Sequence, residues 1–206
     1  MQIIAEHLVI VRGARTIIED LSFETGSGEA VLLTGENGAG KTTLLRALAG
    51  FLRIESGTLR LSGGDDEKSL AEQAHVVGHG NAVKTAFSVR ENLMFWAEYD
   101  GVDDVEARIT AALAGFGLTD LSEFPAAYLS AGQKRRLGLA RLLVTERPIW
   151  LLDEPTSSLD AASSELVTKA INAHTSNGGI AIAATHLPLG LDRARDLRLT
   201  RRKAAA

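Results

Sequence analysis

Residues 35–42 read GENGAGKT and satisfy the pattern G-x-x-x-x-G-K-[ST] at every fixed position. AVLLTG runs into it, a continuous apolar stretch that ends on glycine. After it come Leu44, Leu45, Leu48 and Phe51, spaced as one face of a helix that begins at Lys41. No other short stretch restricts the fold as much. A loop that turns its N–H groups inward works best at the end of a buried strand and under the positive end of a helix dipole. The chain is therefore predicted to be an α/β protein. The main chain of Gly35, Glu36, Asn37, Gly38, Ala39 and Gly40 would cradle phosphate oxygens. Lys41 would reach the β- and γ-phosphates, Thr42 would ligate Mg²⁺, and Thr43 would support the α-phosphate side. The competing reading is a glycine-rich turn that merely precedes a helix.

Upstream, IIAEHLVIV and RTIIEDLSFET read as strands, with GSGE as the turn into the next one. GTLRLSGGDD reads as an edge strand and AHVVGHG as a short buried one. From about Val89 to Val144 the spacing turns helical, and Leu137, Ala140 and Val144 mark one apolar face. PIWLLDEP and GIAIAATH follow as buried strands. A helical block is thus inserted between strands of a mostly parallel sheet. Asp153 and Glu154 close the first of these two strands, where Asp153 can hold Mg²⁺ through water and Glu154 can polarise an attacking water. The alternative is a pair of helix-capping carboxylates. His186 closes the second strand and is expected at the same sheet edge, as a γ-phosphate contact or as a structural histidine.

A second helix start suited to phosphate lies at LSAGQKRR, residues 129–136. Alone it would be a capped helix. In the order GENGAGKT, helical block, LSAGQ, IWLLDEP, SSLD, ATH, it resembles the signature motif of the ATP-binding cassette (ABC) family. The resemblance covers nearly the whole chain. It implies a P-loop NTPase fold of the ABC ATPase kind: a mostly parallel core sheet, an N-terminal antiparallel β-subdomain, and an inserted α-helical subdomain at about 89–144 of a single nucleotide-binding domain, 1–206. It also implies ATP and Mg²⁺ as ligands, Lys41, Glu154 and His186 as the hydrolytic machinery, and a head-to-tail homodimer. Leu129, Ser130, Ala131, Gly132 and Gln133 of one copy would then face the γ-phosphate held by the other, with Ser130 and the Gly132 main chain making the contacts. Ser158, Leu159 and Asp160 match the D-loop across that seam.

Three positions depart from the family pattern. Ala131 replaces a glycine, a one-methyl change expected to leave activity intact. Arg12 stands where an adenine-stacking aromatic is usual. Its guanidinium plane can stack on a base, although a solvated charge on an edge strand explains it equally well. His79 occupies the place of the Q-loop glutamine. Imidazole is a poorer Mg²⁺ ligand than oxygen, so His79 is expected to act through water or to be a loop residue without a role. The stretches GHGNAVKTAFSVRENLMFW, LSAGQKRRLGLARL and ATHLPLGL are similar to the ATP-binding export subunits of bacterial cytochrome c maturation. That resemblance implies integral membrane subunits as partners, a peripheral place on the cytoplasmic face of the inner membrane, and work coupled to haem export or to release of a haem-loaded chaperone. An exporter of another substrate, or a nucleotide-gated scaffold, are the alternatives. His75 and His79 are not evidence of a haem site.

Composition excludes other classes. There are no cysteines, which removes disulfides, thiolate zinc sites and cysteine nucleophiles. A net charge of −4 argues against a nucleic-acid partner. The N-terminus lacks the pattern of a secretory signal, and runs such as IAIAA are too short to span a bilayer, which takes about 20 residues. RARDLRLTRRK is expected to be a solvated basic face, and RRKAAA a frayed end. Phe87, Phe95 and Trp96 fall where ABC relatives dock a membrane subunit, and equally where a helical core would need them.

Overall fold

The structure is a computed structural model, and it describes residues 1–200. The terminal RRKAAA lies outside the described residues. Strands β1 (Gln2–Arg12) and β2 (Arg15–Gly26) form an antiparallel hairpin. Strand β3 (Ala30–Thr34) and helix α1 (Lys41–Leu48) flank the glycine loop, followed by β4 (Ser56–Ser62) and β5 (Ala74–Val77). Helices α2 (Val89–Asp100), α3 (Val105–Gly115) and α4 (Ala131–Val144) form the helical block. Then come β6 (Ile149–Asp153), α5 (Ala161–Ser176), β7 (Ile180–Ala184) and β8 (Ala194–Arg198).

The strands make two sheets, an antiparallel β2-β1-β4 and a five-stranded β5-β6-β7-β3-β8. In the second, β6 with β7, β7 with β3 and β3 with β8 all pair in parallel. β3, β6 and β7 carry almost unbroken apolar runs, as strands covered on both faces must. One core gathers Ile3, Leu8 and Ile10 of β1 with Leu44 and Leu48 of α1 and Leu151 of β6.

The described residues divide into two compact units: residues 1–76, 148–154 and 171–200, and residues 77–147 and 155–170. The first holds the core just described. The second buries Leu93, Ile109, Phe116, Leu137, Ala140 and Val144. No helix among the described residues is long and apolar enough to cross a membrane.

One expectation is corrected. Phe51 is 68% exposed rather than on the buried face of α1. The helix ends earlier, at Gly50 in the left-handed region (φ 74°), with Gly50 N–H donating to Ala47 O and Phe51 N–H to Arg46 O. That paired closure turns the chain away from the helix axis and throws Phe51 outward. The basic run is solvated over 194–198, with its arginines exposed, while its main chain forms an edge strand paired along β3; its residues 201–203 lie outside the described residues. Parallel pairing needs only main-chain groups, which side-chain polarity conceals.

Candidate functional site

The glycine loop leaves β3 through Gly35, at φ 133°, where an added Cβ would lie 2.2 Å from Leu199 O. Only glycine fits there. Gly38 and Gly40 also have positive φ, and Gly40 packs under Ile17 and Ile18 of β2. The loop curls around Lys41, which is buried and whose Nζ donates to Gly35 O (2.8 Å) and Glu36 O (3.3 Å). Glu36, Asn37 and Gly38 are exposed, while Ala39, Gly40 and Thr43 are buried. The side chain of Thr42, the second residue of α1, is exposed, at a helix end whose first N–H groups have no intrahelical partner.

Because β6 and β3 both run parallel to β7, the end of β6 brings two carboxylates to the same sheet edge. Thr42 Oγ1 donates to Asp153 Oδ1 at 3.1 Å, across 111 residues of sequence. A hydroxyl and a carboxylate oxygen side by side form a hard, all-oxygen donor set that fits Mg²⁺. The next residue, Glu154, has φ 48°, a rare conformation for a residue with a side chain, and its N–H is fixed on Ala184 O at 2.8 Å. Glu154 Oε1 and His186 Nε2 stand 3.4 Å apart, both partly exposed. The turn that carries His186 is closed by Thr185, whose buried hydroxyl donates to Leu187 O (2.8 Å) and accepts from Leu187 N–H (3.0 Å). Thr185 was not singled out in the sequence; a buried threonine before a strand-ending histidine was the available signal. Arg12 is exposed in the β1–β2 hairpin, opposite Arg15.

The second unit carries the other set. Ser130 caps α4 in a reciprocal box: its Oγ accepts from Gln133 N–H (3.2 Å), and Gln133 Oε1 accepts from Ser130 N–H (2.8 Å). That leaves the Ser130 hydroxyl proton free to donate outward. Leu129 is buried beneath the turn, and Ala131 is exposed at the first helical position. A Cβ on Gly132 would stand 3.2 Å from Ser158 O, so the helix start and the 158–160 turn lie close together. Ser158 has φ 66°. Leu159 N–H donates to Thr156 O (3.2 Å), and Asp160 immediately precedes α5, its carboxylate accepting from Ser163 N–H (2.7 Å) and held below its ordinary pKa chiefly by that bond. His79 is exposed between β5 and α2.

A glycine loop between a parallel strand and a helix, with a hydroxyl–carboxylate pair at its mouth, defines a P-loop nucleotide-binding protein. Residues 18–157 match the family model described as ABC transporter, and the chain belongs to that family. It is 50% identical over 97% of its length to the cytochrome c biogenesis ATP-binding export protein CcmA of Bradyrhizobium diazoefficiens, covering 98% of that protein. It is 45% identical over 97% of its length to the protein of the same name from Agrobacterium fabrum, covering 96% of it. Among solved structures, a putative ABC transporter ATP-binding protein from Pyrococcus furiosus superposes with a TM-score of 0.83 at 25% identity, covering 96% of this chain and 98% of that one. An ATP-binding subunit of an ABC transporter matches in fold at 23% identity, with a TM-score of 0.82, covering 97% of this chain and 88% of that one. The protein is thus an ABC-type ATPase subunit.

Proposed function

We propose that this single nucleotide-binding domain works as a head-to-tail homodimer under the membrane subunits of a cytochrome c maturation complex, on the cytoplasmic face of the inner membrane. There it couples ATP turnover to haem export or to release of a haem-loaded chaperone. Near-full-length identity to export proteins of that name supports the pathway.

For the chemistry, the carrying observation is the meeting at one sheet edge of Thr42 with Asp153 and of Glu154 with His186. The glycine-loop N–H groups bind and orient the triphosphate, and Lys41 exchanges its carbonyl contacts for phosphate oxygens. Thr42 directly and Asp153 through water would hold Mg²⁺, which would supply positive charge to offset the triphosphate. The Glu154 carboxylate takes a proton from the attacking water, and His186 holds the γ-phosphate and the carboxylate in register. Ser130 and the Gly132 N–H of the second copy close the pocket on the γ-phosphate. His79 acts through water, and Arg12 stacks on the adenine.

Half-exposed Phe95 and Trp96, with exposed Tyr99 and Lys84 lying 4.3 Å over the Phe95 ring, supply the face for a membrane subunit.

Glu154→Gln should bind ATP with native affinity, lose at least ~100-fold in kcat, and accumulate as an ATP-bound dimer in sizing experiments. Native turnover by this variant would remove Glu154 from the role. In a strain lacking the gene, wild-type protein should restore c-type cytochromes and Glu154→Gln should not.

A further inference from the structure

One face of α4 has a use that the residues above do not explain. Gly132, Arg135 and Gly138 follow one another at a spacing of three and so lie along one side of the helix. Gly132 abuts Ser158 O. A Cβ on Gly138 would fall 2.6 Å from Asn81 O, so the helix backbone is pressed directly on the 78–81 segment. Between them Arg135, 2% exposed, spreads its guanidinium over both neighbours. Its Nε donates to Pro155 O (3.1 Å), and its Nη1 donates to Gly78 O (2.8 Å) and to Asn81 Oδ1 (3.2 Å).

The positions of these acceptors matter more than their number. Pro155 directly follows Glu154, and Gly78 directly precedes His79. A single buried cation therefore fastens the helix that begins at Ser130 to the main chain leaving Glu154 and to the main chain entering His79. The planar fork of a guanidinium suits such a task, because its donors diverge at fixed angles and set the separation of what they bind. A lysine has the charge but not the fork. Burial raises the stakes at Pro155 O, since a buried carbonyl that loses its donor bears its full desolvation cost.

We propose that Arg135 is a positioning residue for hydrolysis: it transmits engagement of the Ser130 helix end to the backbone that aims Glu154, with Gly138 allowing the helix close enough for the bonds to form. This rests on the reading of Glu154 and Ser130 given above. The acceptors named here, Pro155 O, Gly78 O and Asn81 Oδ1, lie outside the glycine loop of residues 35–42. Its loss should therefore appear in kcat and not in nucleotide affinity.

The test uses the full-length protein and measures ATP affinity, kcat, KM and thermal midpoint for Arg135→Lys, Asn81→Ala, the double variant and Glu154→Gln. Misaiming a reacting group by about an ångström can cost up to ~100-fold, so Arg135→Lys should lose at least ~10-fold in kcat while ATP affinity stays within ~2-fold. Asn81→Ala, which removes one acceptor, should shift kcat the same way by a few-fold, and the double variant should be no slower than Arg135→Lys alone. The proposal is overturned if folded Arg135→Lys turns over at the native rate, or if kcat and ATP affinity fall together in step with the thermal midpoint. Should Arg135→Lys not fold, Asn81→Ala decides: a kcat loss at unchanged affinity supports the proposal, and native kcat overturns it. Glu154→Gln separates the two levels. If it hydrolyses ATP like wild type, the reading of the site fails; if it is inactive while the Arg135 and Asn81 variants are native, only the positioning role fails.

Discussion

His174 of α5 shows how a single residue tunes the sheet on which the site is built. Its ring stacks on Trp150 of β6 with centroids 3.9 Å apart and planes 8° from parallel, and its Nε2 meets Ile180 O at 3.3 Å. Gly179 leaves the room, since a Cβ there would lie 2.3 Å from the imidazole. Burial pushes the His174 pKa below its ordinary value. The unfolded chain then takes up the proton first as pH falls, so the neutral stack contributes fully above pH ~6.5 and is progressively lost toward the lower folded pKa. Urea midpoints should fall between pH 7 and pH 5, and His174→Phe, which keeps a ring on Trp150, should flatten part of that fall. An unchanged slope would show that the imidazole does not titrate against folding. His174 stood out in no sequence pattern, because a lone histidine in a polar helix gives no sign of the tryptophan beneath it. Glu154 and Lys41, by contrast, were legible, since their motifs encode local backbone shape as well as side-chain type.

At the level of elements, α2 and α4 begin with the same device. Ser88 and Glu91 close one capping box, and Ser130 and Gln133 close the other. The spacings S-x-x-E and S-x-x-Q are both present in the sequence, but only the helix start at Ser130 was singled out there. Local hydrogen bonding makes the device, so no tertiary knowledge is needed to find it. What the helices do differs: α2 opens on Val89 and α4 on the small residues Ala131 and Gly132. Ser88→Ala and Ser130→Ala should each cost about 1 kcal/mol in denaturant unfolding. Only Ser130→Ala should also reduce ATP turnover. Equal turnover in the two variants would mean that Ser130 is a cap and nothing more. The periodicity that located α1 ran past its end, because spacing records which residues share a face and not where a left-handed Gly50 stops the helix.

For the whole molecule, the proposed dimer makes activity depend on concentration. Each copy would carry a glycine loop and a Ser130 helix end that serve different pockets, so ATPase rate per chain should fall on dilution. Initial rates proportional to protein across the full range would refute the shared pocket. The linear chain by itself determined the phosphate loop, the apolar strands around it, the order of motifs and hence the family, because these depend on short-range backbone geometry and on burial periodicity. Tertiary structure alone decided that Thr42 meets Asp153, that Glu154 stands beside His186, that Arg135 grips Gly78 and Pro155, and that a run of arginines pairs as an edge strand. Hydrophobic pattern says that a side chain points inward. Only the packing of distant segments says which atom it meets, and a contact that depends on tenths of an ångström has no signature in a string of residue types.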